Sequence, residues 1–244
     1  MLKGFTYNNQ HSSSLGIYSR IGDMDIFPEI GDIFKENPSR DGSYLMPGKL
    51  KDKRLPVICF HRENNIEDVR AKQFDISAWL YTQDWSELSL DVIENKFFIA
   101  KLIGPVSSKA IITTDEFTLN FRRHPLAFSA EISESFVNDV IIVNNIGNYP
   151  ALPRFEVTFT DSASEWKVSN AAGQYVRVID TFILGDELAV DFSTGRVMKN
   201  GIVVMGKLNW QYSRFFSLGL GDNALTVTPE DVCSTQIKFN PCYV

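Results

Sequence analysis

The sequence predicts a mainly β protein built as two β-sandwich domains, and three observations carry that prediction. Phe supplies 18 of the 244 residues and aromatics 12%, a bias toward side chains that suit a pleated, half-buried surface. Period-two alternation recurs, without a flaw, in Glu116 to Arg122 and in Arg154 to Thr160. Such alternation sets one face of a strand on a core and the other toward water. Helical spacing occurs in a single segment, which leaves sandwich or barrel architecture as the consistent class.

The elements follow in order. The first fifty residues are the least regular. Asp23-Met24-Asp25, Pro28-Glu29, Gly31-Asp32 and Pro38-Ser39-Arg40-Asp41-Gly42 are loop formers between short apolar stretches, and a long loop in a compact domain is usually functional or disordered. Strand signal resumes at Pro56-Val57-Ile58. After Asn64-Asn65, the residues Ile66, Val69, Gln73, Ile76 and Leu80 recur at helical spacing. Asn65 can cap that segment and Asp68 suits its first turn, so a helix is predicted over about 66–80, packed across the mouth of the first sheet. Phe97 to Ile103 and Ala110 to Thr113 read as buried strands joined through Gly104-Pro105.

Clean alternation is lost between Leu126 and Ser135, which places a domain boundary after His124-Pro125 and divides the chain into 1–128 and 129–244. The second strand set begins at Val140 to Val143, and Gly147 to Pro150 form a turn-rich lead into Phe155. Leu188 to Phe192, the turn Ser193-Thr194-Gly195, Arg196 to Met198, and Ile202 to Met205 complete it. Between the last two, Asn200-Gly201 is the strongest short hairpin signal available.

Charge and cysteine content exclude several functions. Lys and Arg number 24 against 30 Asp and Glu, a net of −6, and no basic face is concentrated enough to displace counterions from phosphate. No apolar run approaches the ~18–20 residues of a membrane span. The first eight residues lack a basic region followed by an apolar core, so no secretory signal is expected. Three widely spaced cysteines (Cys59, Cys233, Cys242) fit neither a disulfide framework nor a structural zinc site. They read as reduced thiols, with a Cys233–Cys242 bridge left open.

Catalytic signatures are equally absent. His11, His61 and His124 share no metal-ligand spacing, and no GxSxG elbow occurs. Gly219 to Ala224 matches a dinucleotide fingerprint formally, but strand residues follow where a helix N-terminus is required. The pairs Asp115-Glu116 and Asp186-Glu187 point to opposite faces of a strand. Asp23, Asp25, Glu29 and Asp32 fit no calcium-loop template. Trp166, Trp210 and Tyr212 are candidates for a sugar-stacking platform, with core or sheet packing the preferred reading. No catalytic residue, metal or cofactor is expected.

The order of features carries more than any one of them. Ser14-Leu15-Gly16-Ile17, Arg40-Asp41-Gly42-Ser43-Tyr44, Ala78-Trp79-Leu80 and Leu119 to Pro125 succeed one another in the first half. Asn144 to Pro153, Gly185 to Asp191, Val197 to Gly201 and Phe216 to Asn223 do so in the second. This succession resembles the distal tail proteins of long non-contractile-tailed bacteriophages, notably those infecting Gram-positive hosts, over nearly the whole chain. One departure is local: family members often carry Pro-Gly before the Arg, where this chain has Pro38-Ser39.

That resemblance implies a structural hub. An N-terminal β-sandwich with one helix would assemble into a homo-hexameric ring, and a C-terminal galectin-like sandwich would project outward. Implied partners are the tail-tube protein, the tape-measure protein, a tail-tip or tail-associated lysin protein, and receptor-binding or baseplate proteins. The protein would reside at the virion tail tip after assembly in the host cytoplasm, with DNA passing through its lumen. No sequence-specific nucleic acid and no membrane insertion are implied. The Ser19-to-Lys53 segment, with Arg40, Asp41 and Gly42 in it, is the candidate assembly contact. The alternative is a carbohydrate-binding receptor-recognition protein of the tail; a peptidoglycan hydrolase ranks behind both.

Overall fold

The computed structural model describes residues 3–111 and 113–244. The chain forms two compact units, the first ending at Phe128 and the second spanning Ser129–Tyr243. Strand dominates both.

The first unit contains β1 (Phe5–Tyr7), β2 (Gln10–His11), β3 (Tyr18–Ile21), β4 (Ile33–Asn37), β5 (Arg40–Met46), β6 (Lys53–Arg62), α1 (Ile66–Leu80), β7 (Ser86–Leu90), β8 (Phe97–Leu102), β9 (Ser108–Ile111) and β10 (Thr114–Phe128). Its main sheet runs β2-β1-β7-β8-β10-β6-β3, with β9 also on β10. The path then closes on itself: Lys3 N–H donates to the Ser19 carbonyl (3.1 Å) and Ser19 N–H to that of Lys3 (2.8 Å), so the segment before β1 pairs with β3. Rolling a sheet until its ends meet removes open edges. Alternation drives this directly. In β6 the residues Leu55, Val57 and Cys59 point inward, and in β10 so do Phe117, Leu119 and Phe121.

Helix α1 lies against this core. Asn65 is its N-cap, accepting from the Asp68 N–H (2.8 Å) while its own amide donates to the Asp68 carboxylate (2.9 Å). Val69, Ile76, Trp79 and Leu80 form the buried face. Trp79 donates its indole N–H to the Tyr7 carbonyl at 2.9 Å and packs its ring 5.3 Å from Phe5, which satisfies the one polar atom of a large buried side chain.

The second unit is a two-sheet sandwich of β11 (Ile132–Ser135), β12 (Val140–Asn145), β13 (Arg154–Phe159), β14 (Ala163–Asn170), β15 (Tyr175–Phe182), β16 (Glu187–Asp191), β17 (Arg196–Lys199), β18 (Ile202–Val203), β19 (Gly221–Thr228) and β20 (Cys233–Phe239), followed by the short strand β21 (Cys242–Tyr243). One sheet runs β11-β20-β13-β16-β17-β18 and the other β12-β19-β14-β15. Inward residues of both meet between them. Phe159 stacks on Phe182 with centroids 4.1 Å apart, and Phe155 packs 5.8 Å from Trp166. Asn200 and Gly201 both take positive φ at the β17–β18 turn, the conformation that two-residue hairpins require.

Candidate functional site: the β4–β5 arm

One part of the first unit joins neither the rolled sheet nor α1. Strands β4 and β5 pair only with each other. The turn between them is set locally: Asn37 Oδ1 accepts from the Ser39 N–H (3.1 Å) and the Ser39 hydroxyl (2.8 Å), the turn that Asn side chains favour. The register breaks between Glu36 and Asn37, so Asp41 and Gly42 form a bulge, with Gly42 at φ 84. The family-motif residues Arg40, Asp41 and Gly42 therefore lie at the tip of a hairpin arm; the Arg40 side chain falls outside the described residues. The sequence reads this stretch as irregular loop, and the structure corrects it to paired strand between Ile33 and Met46.

The arm is clamped at its base. Gly31 N–H donates to the Lys49 carbonyl (2.9 Å) and Lys51 N–H to that of Glu29 (2.8 Å), while the Lys51 ammonium meets the Glu29 carboxylate at 2.5 Å. Asp32 accepts from the Gly48 N–H at 2.7 Å. The two chain segments cross so closely that a Cβ on Gly48 would lie 2.1 Å from the Gly31 backbone. Lys53, buried beneath, donates to the Asp25 and Ile26 carbonyls; burial, and then the neighbouring Arg123, hold its pKa below the ordinary value. Of the acids Asp23, Asp25, Glu29 and Asp32, Glu29 and Asp32 hold the arm base through their carboxylates. Among the described residues no group of three His, Cys, Asp or Glu could hold a metal.

What the arm displays is apolar. Phe34 is 68% exposed, and Ile33, Leu45 and Met46 are also exposed; Ile26, 97% exposed, and Phe27 lie just before the base. The pairing Ile33↔Met46 and Phe34↔Leu45 puts apolar pairs on both faces of a two-stranded ribbon. An isolated hairpin is marginal in water, and full burial of each such side chain is worth about 1.5–3 kcal/mol. A patch of this kind marks an interaction surface.

The remaining candidates separate. Trp166 is fully buried, which corrects its place in a sugar platform: inward alternation on β14 puts it in the sandwich core. Trp210 and Tyr212 are exposed, and the Trp210 indole N–H donates to the Met205 carbonyl at 3.0 Å. Asp186 is tied to Asn200, to Lys199 and to the Ile183 N–H, which hold its carboxyl down at about 2. All three cysteines are free. Burial pushes the Cys242 thiol up to about 11 and raises Cys59 and Cys233 as well, so none is primed as a thiolate nucleophile. Gly221 takes positive φ at the head of a strand, and no helix follows the formal glycine fingerprint. Sequence reasoning missed Ile33, Phe34, Leu45 and Met46, whose signal was two apolar clusters flanking Asn37-Pro38-Ser39.

A rolled sheet, a sandwich and an apolar arm give the chain a surface suited to assembly. Two protein-family models match the chain in tandem: the phage tail protein RIFT-related domain over residues 9–122 and the siphovirus-type tail component, C-terminal domain, over residues 146–243. The chain belongs to the siphovirus-type tail proteins, structural components of the virion tail. Among solved structures it is similar to the Dit protein of phage SPP1, described as a paradigm of the hub adsorption apparatus in phages infecting Gram-positive hosts. That match has a TM-score of 0.83 at 16% identity and covers 100% of both chains. It is also similar to a component of the phage P2 baseplate in its activated conformation with Ca, at a TM-score of 0.54 and 6% identity over 98% of both chains. No curated protein sequence matches significantly.

Proposed function

We propose that this protein is the hub of the tail tip, a homo-hexameric ring that connects the tail tube to the tip or baseplate and lets DNA pass, and that it breaks no bonds. The observation that carries this is the β4–β5 arm, clamped at its base and apolar on both faces. A ring closes when one patch on each copy meets a different patch on the next at a rotation that returns to the start, and an arm meeting a distant groove is such a contact. The tail-tube, tape-measure, tail-associated lysin and receptor-binding proteins are the partners this position implies. With a net charge of −6 per copy, an acidic lumen would repel passing DNA rather than retain it.

The first unit, to residue 128, would form the ring, and the second would project outward as a galectin-like module. Imaging of the purified chain by negative stain tests this: closed six-membered rings are expected, and open filaments or twofold dimers would refute the hub geometry. Of the three candidates for a sugar platform, the carbohydrate-binding reading retains Trp210 and Tyr212, which are exposed.

A further inference from the structure

One end of the rolled sheet is basic in a chain whose net charge is −6. Arg122 on β10 lies directly opposite Arg54 on β6 and, on its other side, directly opposite Lys101 on β8. Opposed residues share a face, and this one points outward, with Arg54 and Arg122 exposed. These cations form a row about 10 Å long at ~4.8 Å per strand, although like charges set opposite one another destabilise a sheet. The next register pair repeats the arrangement on the inner face, where Arg123 lies opposite Lys53. Both are buried, and Arg123 Nε has no hydrogen-bond partner. Burial holds both below their ordinary pKa values, with Arg123 adding to the effect on Lys53. Asp25 offsets this from a distance, and among the described residues neither cation has an ion-pair partner.

Beside the outer row, a groove of about 480 Å³ is lined by Lys51, Arg54 and Arg122 together with Leu50 and Ile103. Glu29 and Asp52 also line it, and each is already engaged, Glu29 by Lys51 and Asp52 by the Arg122 Nε at 2.8 Å. Arg54 has, among the described residues, no ion-pair partner. Cations therefore outnumber acids at this end of the sheet. A carboxylate matches the planar fork of an Arg side chain. Carboxylates on alternate residues of an extended chain recur every ~6.6 Å, so one such segment spans the row, and Leu50 and Ile103 offer an apolar seat for a residue between them. A phosphodiester backbone fits less well, because Glu29 and Asp52 stand where a continuous polyanion would run.

We propose that this groove docks an extended acidic segment of a partner protein, whose carboxylates pair with Arg54 and Arg122 within the positive field of the buried Lys53 and Arg123. The contact relieves the like-charge opposition that the chain carries alone. It uses the outward face of β6 and β10 and needs no ring.

Fluorescence anisotropy with the full-length chain at low ionic strength tests this, using the labelled peptide Gly-Glu-Leu-Glu-Leu-Glu-Gly, its counterpart with Gln for Glu, and single-stranded oligothymidine. The Glu peptide should bind and the Gln peptide should not, and binding should weaken as salt screens the exposed charges. Arg54→Gln/Arg122→Gln should weaken the Glu peptide by about fivefold. Arg62→Gln, an exposed cation at the other end of β6, should leave it unchanged. No binding of the Glu peptide, or equal binding of the Gln peptide, would overturn the docking site. Tighter binding of oligothymidine would assign the row to a phosphate backbone and overturn the protein partner. Sedimentation without any probe supplies the last check: a double variant of lower mass than the wild type would show that the row meets a second copy of this chain, which would overturn it as well.

Discussion

The β17–β18 and β4–β5 hairpins are built alike and used oppositely. Each is a two-stranded ribbon whose turn is held by an Asn side chain. The first is absorbed into its unit: β17 pairs with β16, Asn200 accepts from the Glu187 N–H and donates to Asp186, and Val197 is buried. The second pairs with nothing beyond itself and turns Phe34 and Leu45 to water. Local turn chemistry therefore makes a hairpin, while the destination of its apolar side chains decides whether the hairpin serves the fold or an interface.

Substitutions should divide along that line. Phe155→Ala, which empties the sandwich core beside Trp166 and Phe192, should destabilise the second unit by about 3–5 kcal/mol, read by urea unfolding; a loss below 1 kcal/mol would mean the core is not where the packing puts it. Gly48→Ala should act next most strongly. Its Cβ must displace the Gly31 backbone, a strain of about 1–3 kcal/mol confined to the arm base, so assembly is lost while far-UV circular dichroism stays native. Unchanged assembly would show that the base tolerates movement.

Acid should loosen the absorbed hairpin by a smaller step. The Asp186 carboxyl is held below its ordinary value, at about 2, chiefly by Asn200 and Lys199. Its contribution is therefore present above the unfolded value of about 3.9 and disappears as pH falls toward about 2. Amide exchange at Glu187 and Asn200 should quicken over that window, and in Asp186→Asn it should be quick already at neutral pH. Exchange indifferent to both changes would remove the carboxylate from the account.

Much of this was legible in the chain because it is local. Asn65 and Asp68 bracket a helix start by their own hydrogen bonds, and Asn200-Gly201 can make little else but a tight turn. Alternation from Asp115 through Phe117 to Leu119 also set Asp115 on the inward face, although nothing local indicates that His61 would be its neighbour. The closure of the sheet through Lys3 and Ser19 depends on contacts sixteen residues apart with no pattern of their own. Least legible was the arm. Ile33-Phe34 and Tyr44-Leu45-Met46 are consecutive apolar residues, so they fall on both faces and match neither strand nor helix periodicity. Trp166 and Trp210 are the same residue type, and only the alternation around Trp166, with Val168 two residues on, distinguished the core position from the surface one.

The central claim is that the arm's outward apolar pairs assemble the ring and contribute nothing to the folded chain. Sedimentation of Phe34→Ser/Leu45→Ser beside the wild type tests it. The wild type should sediment at six times the chain mass and the variant at one, with melting of the two units shifted by no more than about 0.5 kcal/mol in stability, the usual range for surface changes. A variant that still sediments as a hexamer would contradict the claim.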